Sequence, residues 1–176
     1  MAIQQCLIII KPDGLVKSLT GNIITELSEA NLKIVGAKIV KVSRELAEKH
    51  YSDWKERKKE VIAKEPEVFE NLINYITGKY HTDRVFALVY HGEDAIEKIR
   101  EICGSTNPEK AHPTSIRGKY GRINSKTNVW ENVVHASESE KEAEREIKLW
   151  FSPNELTELI YPAKKENTQA ENLVWQ

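Results

Sequence analysis

The chain has 176 residues, 40% hydrophobic and 30% charged, a composition typical of one soluble globular domain rather than of a disordered segment. Its 26 basic and 27 acidic residues give a formal net charge of −1, so the chain has no general attraction to nucleic acid or to anionic membranes. Cys6 and Cys103 lie far apart, which argues against a disulfide framework or a zinc site. With no signal peptide and no apolar run of ~20 residues, the sequence predicts a cytoplasmic protein that does not span a membrane.

Apolar patterning at the start of the chain predicts two strands with a helix between them. The continuous apolar and β-branched run over 5–11 predicts a strand buried on both faces. The "KPDG" at 11–14 predicts a turn, because proline fixes φ and glycine permits a positive φ. Apolar residues at helical spacing predict a helix over 20–32, and alternation over 32–42 predicts a half-buried strand.

The middle of the chain alternates helix and strand signals. Ser43 is a candidate N-cap for the next helix, and the charged stretch 55–65 predicts a solvated helix face or a loop. Helical spacing over 69–76 predicts another helix. A predicted strand at 84–91 is followed by a helix that ends at Gly104.

The C-terminal part begins with a long segment, 104–128, that is rich in Gly, Pro, Ser, Thr and Asn. Such a segment inside a compact domain predicts a functional loop. Ser137 and Glu140 form an S-x-x-E pattern that predicts the capped start of a helix. Ser152 and Glu155 repeat this pattern for a short final helix.

The order of these elements is β-α-β-α-β-α-β-α. It predicts an α/β sandwich in which helices cover an antiparallel or mixed sheet. Order alone does not separate this architecture from a doubly wound parallel sheet.

Reactive and charged side chains lie at the ends of several elements. His135 ends a strand-like segment before a helix start, where the helix dipole favours a neutral, nucleophilic imidazole. Most histidines in such a place are merely packed or exposed. Lys11 fits two interpretations equally well, a functional residue of a site and a side chain that extends from the core edge to water. Arg100 and Arg117, each taken alone, are surface charges.

Short motifs in a fixed order give the chain a resemblance to a known family. They are "IIIKPDG" at 8–14, "HY" at 50–51, "GSTNP" at 104–108, "SIRG" at 115–118, "NVVHASES" at 132–139, "EAEREI" at 142–147 and "WF" at 150–151. In this order they resemble the nucleoside diphosphate kinase family, from about Cys6 to Tyr161. The resemblance implies a kinase domain over 1–161 and a polar C-terminal tail over 162–176.

This resemblance also implies a fold and an activity. The fold would be a ferredoxin-like α+β sandwich with a four-stranded antiparallel sheet covered by helices. The enzyme would transfer the γ-phosphate of a nucleoside triphosphate, usually ATP, to a nucleoside diphosphate by a ping-pong mechanism. Mg²⁺ would be the cofactor, carried by the nucleotide phosphates rather than by protein ligands. The partners would be nucleotides and further copies of the chain, with a hexamer favoured over a tetramer or a dimer.

Catalytic roles are implied position by position. His135 matches the nucleophile that becomes a pros-phosphohistidine, since a neutral imidazole needs no separate base. Glu146 matches the acid that hydrogen-bonds this histidine, and Ser137 matches the serine near that acid. Lys11 matches the lysine at the γ-phosphate and the ribose 3′-hydroxyl. Cations at that place would stabilise the charge that develops on the transferred group.

The nucleotide-binding positions implied by the resemblance are Lys11, Tyr51, Phe69, Arg100, Thr106, Arg117 and Asn132. Arg100, Thr106 and Arg117 match phosphate-binding residues. Asn132 matches the ribose contact, and Phe69 matches the aromatic ring on which the base stacks. A base that is stacked but not read by hydrogen bonds predicts loose base selectivity.

Two segments, 52–68 and 118–131, are longer than the family pattern. Both predict loop-like insertions at the nucleotide mouth or at a subunit contact. An alternative function is a nucleotide- or nucleic-acid-binding module on the same fold, with cations supplied by the basic segment 110–126. The near-neutral total charge disfavours nucleic acid as the main partner.

Overall fold

The computed structural model describes residues 2–166. Its strands are β1 Ile3–Ile10, β2 Lys33–Lys41, β3 Arg84–Glu93, β4 Arg122–Ile123, β5 Trp130–Glu131 and β6 Val134–Ala136. Its α-helices are α1 Pro12–Val16, α2 Thr20–Leu27, α3 Arg44–His50, α4 Ser52–Arg57, α5 Lys59–Lys64, α6 Glu67–Ile76, α7 Ala95–Cys103, α8 Ile116–Tyr120 and α9 Glu140–Trp150. Short 3₁₀ turns lie at Ser28–Ala30, Pro108–Lys110 and Pro153–Glu155. Among residues 2–166, no helix combines the length and the apolar character that a membrane crossing requires.

Four strands form one sheet in the order β2-β3-β1-β6, and β4 pairs with β5 in a separate hairpin. Every neighbouring pair in the four-stranded sheet is antiparallel, which excludes the doubly wound parallel alternative. Helices pack on this sheet, so the fold is the ferredoxin-like α+β sandwich that the resemblance implied. The edge strand β6 places His135 directly opposite Ile9 of β1.

The central strand β1 is buried as its apolar run predicted. Its residues 6–10 have no exposed surface. Helices α7 and α9 both pack against this strand, and they contribute buried side chains such as Ile99 and Ile147. Each fully buried side chain of this kind stabilises the fold by roughly 1.5–3 kcal/mol. The core therefore fixes the strand that leads directly into Lys11.

Some local predictions differ from the structure. The predicted turn at 11–14 is the start of α1, because Lys11 occupies the N-cap and Pro12 takes a first-turn position where its missing N–H costs nothing. The charged stretch 55–65 lies mostly in α4 and α5, which bury none of their residues, so the solvated helix was the right alternative. The predicted loop 104–128 contains α8 and β4.

Helix α9 begins two residues later than predicted. The sequence holds two overlapping S-x-x-E patterns, and the cap is Ser139, whose hydroxyl accepts a hydrogen bond from a first-turn N–H at 3.2 Å. Ser137, the predicted cap, is instead fully buried. The N-cap thus lies four residues beyond His135 rather than two, which weakens the argument from the helix dipole. The capping box predicted at 152–155 is confirmed, on a 3₁₀ turn.

Gly118 provides a test of the packing around α8. A Cβ at this position would meet the backbone oxygen of His112 at 2.0 Å. Replacing glycine by alanine inside a helix normally stabilises a protein by roughly 0.5–1 kcal/mol. Gly118→Ala is expected to have the opposite effect. It should lower the free energy of unfolding by roughly 1–3 kcal/mol, because the backbone has to shift. Urea unfolding measures this difference.

Gly21 is the matched control for this substitution. It also lies in a helix, α2, but a Cβ there would meet no atom within 4 Å. Gly21→Ala should therefore leave the stability unchanged or raise it slightly. If both alanine variants stabilised the protein equally, the close approach at Gly118 would be wrong.

Candidate active site

His135 lies in the short strand β6, with its side chain 17% exposed. Its Nε2 is 3.0 Å from Oε2 of Glu146 on α9. A carboxylate is an acceptor, so Nε2 carries the proton and Nδ1 keeps the lone pair. The ring is therefore oriented with Nδ1 available as a nucleophile.

Glu146 is a buried carboxylate, 2% exposed, rather than a surface acid. The Ser137 hydroxyl donates to the same Oε2 at 2.7 Å and accepts from the Leu7 N–H at 3.1 Å. Burial raises the pKa of Glu146, but the charge and hydrogen bond of His135 outweigh it and lower that pKa to about 2. Glu146 is thus charged at neutral pH, and its oxygen is held by two donors.

His50 is a residue of this site whose role the sequence did not predict, although the "HY" motif contains it. It is buried, and Nε1 of Trp150 donates to its Nδ1 at 3.2 Å. Its ring centroid lies 4.5 Å from that of His135, with the planes at 80°. Burial first, and the neighbouring His135 second, hold the pKa of His50 well below its ordinary value. His50 is therefore neutral and adds no repulsive charge beside His135.

Three side chains of the site could in principle ligate a metal ion. Potential ligand atoms of His50, His135 and Glu146 all lie within 4.8 Å of one another. However, Nδ1 of His50 already accepts from Trp150, and Oε2 of Glu146 already accepts from His135 and Ser137. The hydrogen bonds at Oε2 hold Glu146 and His135 together without a metal ion.

Lys11 points into the protein rather than to water. It is 6% exposed, and its Nζ donates to Oδ1 of Asn132 at 2.8 Å. Nδ2 of Asn132 donates in turn to the backbone oxygen of Thr106 at 2.8 Å. Burial and the charge of Arg117 lower the pKa of Lys11 to about 8, although Asp13 opposes this shift. The structure thus brings Lys11, Asn132 and the backbone of Thr106 together as predicted.

The turn between Asn132 and His135 is strained. Val133 has φ +57°, a left-handed conformation that a β-branched residue rarely adopts. Oδ2 of the fully buried Asp13 accepts from the Val133 N–H at 3.1 Å, and the Tyr75 hydroxyl donates to the other oxygen. Asp13 was not among the predicted site residues, although it belongs to the "KPDG" motif. It fixes the turn that places both Asn132 and His135.

Arg117 is buried beneath the same segment. Its guanidinium donates to the backbone oxygens of Gly104 at 2.7 Å and Val134 at 3.1 Å. Its Nε is buried without a hydrogen-bond partner in the described residues. Burial lowers its pKa, and the nearby charge of Arg100 lowers it further. This side of the site therefore holds positive charge that protein acceptors do not fully satisfy.

Tyr51 and Thr106 are two further residues of the predicted set. Tyr51 is buried with its ring 4.7 Å from that of His50, and its hydroxyl has no partner within residues 2–166. Burial raises the pKa of this hydroxyl. Thr106 is exposed at the loop that follows α7.

Phe69 is not brought to this cluster. It is 6% exposed, the Trp54 ring stacks on it with centroids 6.3 Å apart, and Nζ of Lys55 lies 4.9 Å from its centroid. Phe69 borders a groove of about 510 Å³ formed by α3 to α6, and neither His135 nor Lys11 lines that groove. Little of the ring is open to a stacking ligand, so the structure does not support its predicted contact with the base.

Comparison with known protein families identifies the family to which this chain belongs. The family model for nucleoside diphosphate kinase matches residues 4–156, which include every residue of the His135 cluster. The chain belongs to the nucleoside diphosphate kinase family. It is a phosphotransferase of this type, with nucleotides as substrates.

Relatives of this kinase align over almost the whole chain. The nucleoside diphosphate kinase of Staphylococcus carnosus (strain TM300) is 40% identical over 169 residues, which are 96% of this chain and 99% of the relative. That of Pyrococcus furiosus is 42% identical over 156 residues, 89% of this chain and 88% of the relative. A transition state mimic of the Borrelia burgdorferi nucleoside-diphosphate kinase, with bound vanadate and ADP, has a TM-score of 0.75 and 34% identity. It covers 93% of this chain and 94% of its own.

Proposed function

We propose that the kinase works by a ping-pong mechanism through a pros-phosphohistidine at His135, usually with ATP as donor. Nδ1 attacks the γ-phosphorus, an N–P bond forms, and the P–O bond to the β-phosphate breaks, so the diphosphate leaves with the electron pair. A β-phosphate oxygen of an acceptor diphosphate then attacks the phosphohistidine and restores the ring. The observation that carries this proposal is the 3.0 Å contact between Nε2 and Glu146, which leaves the lone pair on Nδ1.

Glu146 acts through the histidine rather than on the nucleotide. As Nδ1 forms its bond to phosphorus, the ring gains positive charge, and the buried carboxylate at Nε2 stabilises that charge. Ser137 keeps the carboxylate in place with its 2.7 Å hydrogen bond. Because these contacts exist before the nucleotide binds, little reorganisation is needed during the reaction.

The phosphates bind on the side of Lys11, Arg100, Thr106 and Arg117. The support for this is the buried positive charge: Lys11 has a lowered pKa and Nε of Arg117 lacks a protein acceptor among the described residues. A phosphate would supply the missing acceptors as charge-assisted hydrogen bonds. Asn132, bonded to Lys11, addresses the ribose 3′-hydroxyl, and the unpaired Tyr51 hydroxyl lies ready for a polar partner.

Mg²⁺ arrives with the nucleotide as part of the substrate. The residues assigned to the phosphates are largely cationic and offer Mg²⁺ no carboxylate ligand. A divalent metal cofactor is consistent with the family. When bound, the ion neutralises part of the phosphate charge, while the protein supplies the remaining cations.

The base is held by stacking without hydrogen-bonded reading, so purine and pyrimidine diphosphates are all accepted. Phe69 has no direct part in this, because Trp54 and Lys55 cover its ring. The half-buried indole of Trp54 lies one helical turn beyond Tyr51 and is the alternative aromatic surface for the base. Phe69 then serves as the packing partner beneath that indole.

The kinase domain spans 1–161, with a polar tail over 162–176 of which residues 167–176 lie outside the described part. The protein is cytoplasmic and assembles into a homo-oligomer, a hexamer in preference to a tetramer or a dimer. Edge strand β2 supports assembly, because it exposes Ile34 (44%) and Ile39 (57%) beside an outer strand edge. Analytical ultracentrifugation separates the three states.

The nucleic-acid-binding alternative loses its main support in the structure. Arg117 is buried, Lys119 pairs with Glu26 at 3.0 Å, and Arg122 pairs with a buried carboxylate at 2.6 Å. Three of the five cations in segment 110–126 are therefore buried or paired with an acid within the fold. Such a surface offers few free cations to a phosphate backbone.

Incubation with γ-labelled ATP tests the central proposal. ATP alone should label the protein through a bond that is stable in base and labile in acid, and His135→Ala should lose label and transfer activity together. Glu146→Gln should still bind nucleotide but phosphorylate His135 roughly ten- to a thousandfold more slowly, because the ring loses its orienting carboxylate. Rapid-quench measurements give both rates.

The double variant provides the control for this assignment. His135→Ala combined with Glu146→Gln should be no worse than His135→Ala alone, because the two residues act as a unit. Substantial kinase activity in His135→Ala would contradict the assignment of His135 as the nucleophile. A wild-type phosphorylation rate in Glu146→Gln would remove Glu146 from the site.

The lowered pKa of Lys11 predicts the alkaline limb of the pH profile. Lys11 binds phosphate as an ammonium, which the free enzyme loses as the pH rises through about 8. Above that pH, kcat/KM for ATP should fall about tenfold per pH unit, since kcat/KM reports the ionisation of the free enzyme. Lys11→Arg, charged at every assay pH, should be slower at pH 7 but lack this limb. A wild-type profile that stays flat to pH 10 would contradict the assignment.

A further inference from the structure

The hairpin formed by β4 and β5 ends immediately before the proposed ribose contact. It lies within segment 118–131, where the chain is longer than the family pattern, and Glu131 is its last residue. Glu131 is 1% exposed, although the hairpin is otherwise at the surface, with Trp130 44% exposed. A buried acid at the end of an exposed hairpin needs partners that stabilise its charge.

Glu131 has such partners from three separate segments of the chain. Nε of Arg122 donates to it at 2.6 Å and Nδ2 of Asn124 at 2.7 Å, both from the hairpin. Nε2 of His81, from the loop before β3, lies at 3.0 Å. Nζ of Lys17, from the end of α1, lies at 3.7 Å. One carboxylate therefore ties the hairpin to two parts of the main fold.

The next residue, Asn132, depends on the backbone that Glu131 fixes. Its own N–H donates to the Trp130 oxygen at 3.0 Å, within the end of the hairpin. Its side-chain amide has both ends engaged, with Lys11 at Oδ1 and the Thr106 oxygen at Nδ2. Such a bridge tolerates little displacement, because both hydrogen bonds at 2.8 Å have to be kept at once.

We infer that Glu131 is a positioning residue, which holds Asn132 in the orientation that contacts the ribose 3′-hydroxyl of the nucleotide. The inserted hairpin is thereby part of ribose recognition. The inference rests on the proposed function, in which Asn132 addresses that hydroxyl. On one side of Asn132 the turn is held by Asp13 through Val133, and on the other side it is held by Glu131.

Loss of the carboxylate has a defined consequence at the ribose. Glu131→Gln keeps the size of the side chain but replaces one acceptor oxygen by an NH₂ group that faces Arg122 or His81. The hairpin end then loses charge-assisted bonds, and the Asn132 amide samples orientations that no longer reach the 3′-hydroxyl. Contacts of Lys11 and the arginines with the phosphates do not pass through Glu131 and should be affected much less.

The experiment compares ATP with 3′-deoxy-ATP as phosphoryl donors to the full-length enzyme. The measured quantity is the ratio of the two second-order rate constants for phosphorylation of the protein, which is independent of the fraction of active enzyme. Wild type should prefer ATP, and Asn132→Ala should lose most of that preference. Glu131→Gln should lower the ratio roughly tenfold, the usual scale for removing a supporting partner. Adding Glu131→Gln to Asn132→Ala should not lower it further.

Two further variants in the hairpin test the inference if Glu131→Gln folds poorly. Arg122 has a side chain that is 60% exposed, so Arg122→Ala should fold and should lower the ratio in the same direction by a smaller factor. Lys126 lies in the same hairpin, is exposed and is not a partner of Glu131. Lys126→Ala is therefore the matched control and should leave the ratio unchanged.

The outcomes separate this inference from the proposed function. If wild type prefers ATP but Glu131→Gln and Arg122→Ala both keep the full preference, Glu131 has no role in positioning. An equal loss of rate with both donors would likewise overturn the inference, because it would show a general structural defect. If wild type and Asn132→Ala both fail to distinguish the donors, the ribose role of Asn132 itself is wrong.

Discussion

The site depends on one hydrogen bond from a backbone N–H to a buried carboxylate. Oδ2 of Asp13 accepts from Val133, and this bond holds Val133 at φ +57°, a conformation that costs about 1–3 kcal/mol. The Lys11 N–H donates to the Val133 oxygen at 2.8 Å and secures the same residue from the other side. Because Asn132 precedes this turn and His135 follows it by two residues, a relaxed Val133 would displace the proposed ribose contact and the proposed nucleophile together.

Charge is divided unequally around the imidazole. A carboxylate lies at Nε2, whereas two cations bond to the segment that precedes His135, Lys11 to Asn132 and Arg117 to the Val134 oxygen. Buried cations without full compensation destabilise the free protein, as the lowered pKa values of Lys11 and Arg117 indicate. Phosphate binding on this side, as proposed, would relieve that destabilisation, so part of its binding free energy would originate in a cost incurred during folding.

Strongly patterned elements were predictable from the sequence, and contacts between distant residues were not. The apolar run of β1 is compatible only with a buried strand, and the helical spacing of α6 only with a helix, so both elements were predicted correctly. Two overlapping S-x-x-E patterns leave two readings, and the choice of Ser139 follows from tertiary contacts that hold Ser137 at Glu146. His50 was missed for the same reason, because its role rests on Trp150, a hundred residues away in sequence.

The two inserted segments share a feature that explains why loop-like insertions were expected there. Each is charged and exposed, which in sequence is typical of a loop, yet a side-chain contact holds each one to the rest of the fold. Arg57 of α4 pairs with Glu138 at 3.0 Å, and Glu131 at the end of the hairpin lies 3.0 Å from Nε2 of His81 in the loop before β3. The first pair is about half exposed on both sides and contributes at most ~1 kcal/mol, whereas the second ends on a carboxylate that is 1% exposed. The hairpin is therefore held to the main fold more firmly than α4, because breaking the contact of Glu131 with His81 would leave a buried charge short of partners.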